Sequence, residues 1–260
     1  MKTAITNKDL KQFRDSFDRE KVNKVAMNAV TANGINAVSK NPDAKVKNRF
    51  GFSVEVEAGK VCNQKKSGRC WMFASYNLMR LEIMKKLNLE NMELSQSYPL
   101  FYDKLERANY FLESMIEVID EPVGSRLVSY LLHDPMQDGG QWDMFRSLTD
   151  KYGVVPKEIM PETAASENTT EMDTYLTTKL REYAVYLRKK KTEGMTVQEL
   201  RKEKTEMLNT VYRILCICLG RPPQTFTWEV RDKDKNFSVF PISRRRSSSR
   251  SMWAGTWTTI

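Results

Sequence analysis

Near the N-terminus, apolar positions fall at helical spacing. Leu10, Phe13 and Phe17 stand at i, i+3 and i+7, which predicts a helix with Thr6 or Asn7 as its N-cap. A second helix is predicted from about Asp18 to Thr31, stopped near Gly34. The period then changes: Phe52-Ser53-Val54-Glu55-Val56-Glu57 alternates apolar and polar residues, as a half-exposed strand does. Residues 70–87 return to a 3.6-residue period. Trp71, Ala74, Leu78, Leu81 and Met84 or Lys85 make one predicted face, uninterrupted by proline or glycine. Pro99, Asp138-Gly139-Gly140 and Gly153-Val154-Val155-Pro156 punctuate the chain beyond that helix. From about Asn168 to Cys218 the pattern is helical, and basic residues interleave with acids in the manner of solvated helix faces. Gly220-Arg221-Pro222-Pro223 ends that stretch, and Thr225–Val230 reads as a strand. From about Phe237 onward neither period is present.

The chain has 260 residues, enough for a real core, and its 40% apolar and 29% charged residues suit a globular protein. No apolar run reaches membrane-spanning length, so no membrane partner is expected. The N-terminus lacks the apolar centre of a secretory signal. A net charge of +9 raises the question of nucleic acid, yet Arg244, Arg245, Arg246 and Arg250 supply four of those charges from a tail without acids. DNA is therefore a weakly supported partner. The four cysteines, Cys62, Cys70, Cys216 and Cys218, make no disulfide framework, and with one histidine in the chain no zinc set forms. No metal and no cofactor is expected. Reduced thiols point to the cytoplasm.

Chemistry concentrates in Cys62-Asn63-Gln64-Lys65-Lys66-Ser67-Gly68-Arg69-Cys70-Trp71-Met72-Phe73-Ala74. A loop ends in glycine, and a cysteine opens the helix. A thiol there faces unpaired backbone N–H groups and the positive end of the helix dipole, a setting that favours the nucleophilic thiolate. Six residues upstream, the Gln64 amide could hold the oxygen of an attacked carbonyl; removing one such donor typically costs about 10²–10³ in rate. The Cys70 backbone N–H would be the second donor. Adjacent glycines at 139 and 140 let a substrate backbone approach closely.

Gln64…Gly68-Arg69-Cys70-Trp71 resembles the papain signature around the nucleophile. Ser67 stands where secreted papain-like enzymes carry a disulfide cysteine, and Arg69 replaces a small residue. Both departures resemble the intracellular bleomycin hydrolase and aminopeptidase C family. The likeness extends to Glu93-Leu94-Ser95-Gln96-Ser97-Tyr98, Asp138-Gly139-Gly140-Gln141-Trp142-Asp143-Met144 and Tyr152-Gly153-Val154-Val155-Pro156. The resemblance implies an α+β papain-like fold, mostly the helical N-terminal domain plus a helical insertion, with the β-rich second domain largely missing. The segments it implies are 1–60 (helices and a strand), 61–165 (the nucleophile domain), 166–236 (a hexamerisation-type insertion) and 237–260 (a tail). It further implies a cysteine aminopeptidase acting on peptide substrates, with Cys70 and Gln64 catalytic and Asp138, Gly139 and Gly140 at the substrate. Intact relatives are expected to be hexameric. A non-catalytic oligomerisation or nucleic-acid-binding module is the alternative.

The family's catalytic histidine comes far downstream in its chain order. The histidine of this chain, His133, precedes Asp138 by five residues and reads as a loop or capping residue, so no base is assigned. The tail suggests a reason. In a shifted reading frame Met252-Trp253-Ala254 can encode Tyr-Val-Gly, and Thr256-Trp257-Thr258 can encode Asp-Leu-Asp, which are similar to the family's continuation. Residues from about Ser238 are thus expected to be a disordered frameshift product, and the chain itself to turn over little substrate.

Overall fold

The computed structural model describes residues 4–49 and 51–243. They form two compact units divided after Val56.

The first unit holds α1 (Asn7–Arg19), α2 (Lys21–Asn33), α3 (Ile35–Val38) and α4 (Pro42–Lys47). Thr6 is the N-cap of α1: its hydroxyl accepts the Asp9 N–H and the Asp9 carboxylate accepts the Thr6 N–H, a reciprocal capping box. Gly34, at φ +78°, ends α2 and returns its N–H to the Val30 carbonyl at 2.7 Å. None of the four helices contains a buried residue. The strand predicted over 52–57 does not form. Val54 and Val56 are exposed, and the alternation finds no neighbouring strand among the described residues, without which a strand has no ladder.

The second unit contains α5 (Cys70–Lys86), α6 (Ser97–Glu117), α7 (Arg126–His133), α8 (Trp142–Tyr152), α9 (Ala164–Glu167), α10 (Thr170–Thr192), α11 (Val197–Leu219), β1 (Thr225–Arg231) and β2 (Phe237–Ser243). The main core is built on α6. Leu100, Phe101, Ala108, Phe111, Leu112 and Met115 follow the 3.6-residue period and join Leu176, Leu180 and Leu187 of α10 with Leu200, Val211 and Leu215 of α11. The long charged stretch is two helices, separated at Gly194 (φ +100°) and restarted by a Thr196–Glu199 capping box. A second cluster joins Tyr76, Met79 and Ile83 of α5 to Phe145 of α8 and Trp228 of β1.

Two sequence expectations are corrected here. The face of α5 is not the predicted one: Ala74 and Leu78 are exposed, while Met72, Tyr76, Met79 and Ile83 are buried. Apolar residues fall on more than one side of the helix, so periodicity alone admitted two faces. The tail predicted to begin at 237 also starts too early. Phe237–Ser243 pairs antiparallel with β1, and Phe240 lies opposite Trp228, ring centroids 5.7 Å apart. The pair helps bury Trp228, which is 3% exposed, and that contact is the physical gain from the extra strand. Residues 244–260, the remainder of the expected frameshift tail with its arginines, lie outside the described residues. Among the described residues no helix is long and apolar enough to cross a membrane.

Candidate active site

The loop before α5 is fastened at nearly every residue. Lys65 takes φ +54°, with its N–H donated to Asn63 Oδ1 at 2.8 Å, a side-chain turn of the kind asparagine favours. The Ser67 hydroxyl donates to the Gln64 carbonyl at 2.6 Å and accepts from Arg69 Nε at 2.9 Å. The Lys66 N–H donates to the Glu167 carbonyl at 2.9 Å. Arg69 is 1% exposed, pairs with Glu162 at 2.8 Å and lies over the Phe73 ring. A guanidinium that deeply buried needs such a partner. The position that resembles a disulfide cysteine in secreted enzymes is thus held here by hydrogen bonds and an ion pair.

This anchored loop delivers Cys70 as the exposed first residue of α5. Arg69, at the N-cap, makes no side-chain cap hydrogen bond. The first-turn N–H groups of α5, beside the thiol, are therefore not taken by a capping side chain. Gln64 is half-buried, and its Nε2 donates to the Ser67 carbonyl at 2.7 Å. A primary amide has two N–H donors, so one can still face a ligand.

Gly140 and Gly68 bring the second loop against the first. A Cβ on Gly140 would stand 2.6 Å from the Trp71 indole, and one on Gly68 would stand 2.3 Å from the Asp138 Cβ. Those approaches require glycine. The structure therefore brings Gln64, Cys70, Asp138, Gly139 and Gly140 into two abutting loops. Asp138, expected at the substrate, has its oxygens turned inward. Oδ2 accepts from the Gly68 N–H at 3.2 Å and the Thr169 hydroxyl at 2.8 Å, and Oδ1 accepts from Lys104 Nζ at 2.8 Å. Burial pushes this carboxyl up, but Lys104 and the hydrogen bonds outweigh it and hold Asp138 below the ordinary aspartate value. Neighbouring Asp173 also bonds Lys104, at 3.0 Å. Burial lifts its carboxyl to about 7 despite the ammonium, and the Asp138 charge adds to the rise. Arg107 donates to the Gly139 carbonyl.

Sequence reasoning missed Lys104, Arg107, Thr169 and Asp173. For Lys104 a signal existed, because it falls on the apolar stripe of α6 between Leu100 and Ala108, and it is fully buried. Cys62 sits in a setting unlike that of exposed Cys70. Burial first, then Glu93, push its thiol up to about 11, against the pull of Arg80, whose Nη1 lies 3.0 Å from the sulfur. His133 closes α7, where its carbonyl accepts from Arg181 at 2.6 Å. Among the described residues no cluster of histidine, cysteine and carboxylates could hold a metal ion. A cavity of about 680 Å³ opens beside this region, lined by Arg107, Gln141, Met144 and Lys151 among others; Cys70 does not line it.

Residues 4–245 match the family described as Peptidase C1-like family. The chain is similar to aminopeptidase C from Listeria monocytogenes, 47% identical over 238 residues, covering 91% of this chain and 53% of the relative. It is likewise similar to aminopeptidase C from Lactobacillus delbrueckii, at 42% over 239 residues, covering 92% and 53%. Rabbit bleomycin hydrolase is 48% identical over 197 residues, covering 75% of this chain and 71% of that sequence. The crystal structure of PepW from Lactobacillus rhamnosis superimposes with a TM-score of 0.92 at 42% identity, covering 97% of this chain and 57% of that one. The chain spans about half the length of the aminopeptidases C that it matches.

Proposed function

Since the chain belongs to the Peptidase C1-like family, with the α+β papain-like fold of that family, we propose that it carries the nucleophile half of a cysteine aminopeptidase. The observation that supports this best is the exposed thiol of Cys70 at an uncapped helix start, in a loop packed against the loop of Gly140.

In this reading a peptide lies along the Gly139–Gly140 backbone. The Cys70 thiolate attacks the carbonyl carbon, and the electron pair of the C=O bond moves to oxygen. That oxyanion is held by the free amide N–H of Gln64 and the backbone N–H of Cys70. Collapse of the intermediate breaks the C–N bond, and the departing amine takes up a proton. Water then hydrolyses the thioester and restores the thiol. Asp138 holds the loop from inside. A base must take the thiol proton and pass it to the amine, and His133, at the end of α7, is not assigned that role.

Assembly and compartment extend the proposal. The α10–α11 hairpin, with Val185 and Ile217 exposed, is assigned as the segment through which copies form a hexamer, and sedimentation of the purified chain tests that. The unpaired thiols of Cys62, Cys216 and Cys218 suit the cytoplasm. DNA binding would rest on arginines outside the described residues and forms no part of this reading.

A peptidyl fluoromethyl ketone should label Cys70 and leave Cys62 untouched in peptide-mapping mass spectrometry, and Cys70→Ser should abolish the label. Labelling elsewhere would sink the nucleophile assignment. Hydrolysis of an aminoacyl anilide that survives Cys70→Ala would overturn the aminopeptidase reading.

A further inference from the structure

Lys104 occupies a place on α6 where the helix period calls for an apolar side chain, and it is 0% exposed. A buried ammonium is tolerated when its donors are satisfied by well-placed acceptors. Here Asp138 Oδ1 (2.8 Å), Asp173 Oδ2 (3.0 Å) and the Met136 carbonyl (3.2 Å) supply them. Asp138 passes the restraint onward. Its other oxygen takes the N–H of Gly68, two residues before Cys70, and the hydroxyl of Thr169, which is 1% exposed. Three residues along α6 from Lys104, Arg107 grips the Gly139 carbonyl. One helix therefore holds the Asp138–Gly140 stretch at two points, and that stretch holds the turn into Cys70.

We propose that Lys104 is a positioning residue that, through Asp138, fixes the Gly139–Gly140 backbone against the turn leading into Cys70 and so sets how a peptide backbone lies against the thiol. Its catalytic consequence rests on the reading of Cys70 as nucleophile. The clasp itself is measurable without catalysis. A lysine that merely filled the core would, when replaced, loosen the second unit evenly. A clasp loosens two loops together.

Amide hydrogen exchange on the full 260-residue chain separates these cases. In Lys104→Met, segments 64–69 and 137–141 should exchange about tenfold faster, with α11, which makes no bond to Lys104, Asp138 or Thr169, unchanged. Thr169→Val removes one hydroxyl and no charge, which keeps the test open should Lys104→Met not fold. The same two segments should then speed up about threefold. Unchanged exchange in both segments, or acceleration no greater than in α11, overturns the clasp. A second readout addresses positioning. For a peptidyl fluoromethyl ketone reacting at Cys70, the inhibition constant should rise about tenfold in Lys104→Met, while the iodoacetamide rate at Cys70 stays within about twofold. If the ketone labels the wild type but its constant does not move, the positioning role falls. If exchange responds as expected but the ketone never labels Cys70, the clasp stands and the nucleophile reading falls.

Discussion

At Gly68 an added methyl would meet the Asp138 Cβ at 2.3 Å, whereas at Gly139, with φ +88°, it would meet nothing within 4 Å. The two alanine variants should therefore fail for different reasons. Gly68→Ala overpacks the joint between the loops and should cost about 1–3 kcal/mol; Gly139→Ala carries backbone strain and should cost about 1 kcal/mol. Urea midpoints read both, and no loss at Gly68 would contradict the close approach there. The two aspartates make opposite demands on pH. Asp138, held below its ordinary value, stabilises the fold above about pH 3.8 and loses that contribution as the pH falls through its lowered value. Asp173, lifted from 3.8 to about 7, keeps a proton in the folded protein that the unfolded chain releases. Stability on its account falls as the pH rises between about 4 and 7 and is level above. Asp173→Asn should thus gain on the wild type across that window, by up to about 4 kcal/mol, at about 1.4 kcal/mol per pH unit. A stability difference that is the same at both ends of the window would show that Asp173 does not titrate there. In the sequence, Asp138-Gly139-Gly140 and Cys70 stand out through their residue types. Lys104 and Asp173 look like any helix charges until their faces are known.

Helices were legible as elements and less so as oriented surfaces. The break at Gly34 is read from the residue whose conformational freedom announces it, whereas the one at Gly194 divides a stretch that reads as continuously helical. No helix is predicted over α6, where Pro99 reads as punctuation, although its stripe of Leu100, Phe101, Ala108, Phe111, Leu112 and Met115 is buried. On α5 both the stripe with Ala74 and Leu78 and the stripe with Tyr76 and Met79 are apolar, and the choice fell to tertiary partners, Phe145 and Trp228, that no local period reveals. The difference is measurable. Met79→Ala, at 4% exposure, should destabilise by about 2–5 kcal/mol. Leu78→Ser, at 54% exposure, should change stability by less than about 0.5 kcal/mol. A large loss at Leu78 would mean that its side of α5, the side carrying exposed Cys70 and Ala74, is covered by another body in solution. Strands fared worse than helices. Phe52–Glu57 had the right alternation and no neighbour, while Phe237–Ser243 lacked a period and formed β2 because β1 was there to pair with it.

The two units differ in what holds them. In the second, α6, α10 and α11 share one buried apolar cluster, and the loops at Cys70 are tied to it by Arg69–Glu162 and Lys104–Asp138. In the first, Leu10, Phe13 and Phe17 carry the expected helical period, yet all three are exposed, at 44%, 58% and 41%. The period correctly located α1, but it did not reveal whether the stripe finds a core, because that depends on surfaces outside the local window. Helices of 13 residues are marginal in water unless an apolar face is covered, since nucleation is costly and each further residue gains little. Helices α1 to α4 should therefore open far more readily than α6. Brief proteolysis of the purified chain should remove the first unit and leave a resistant fragment beginning near Glu57. That fragment should retain Cys70 with both of its ion-paired anchors, because Arg69, Glu162, Lys104 and Asp138 all lie beyond the cut. Early cleavage inside the α10–α11 hairpin, with α1 and α2 intact, would instead show that the first unit's apolar stripe is buried in solution and that stability is not concentrated around Cys70.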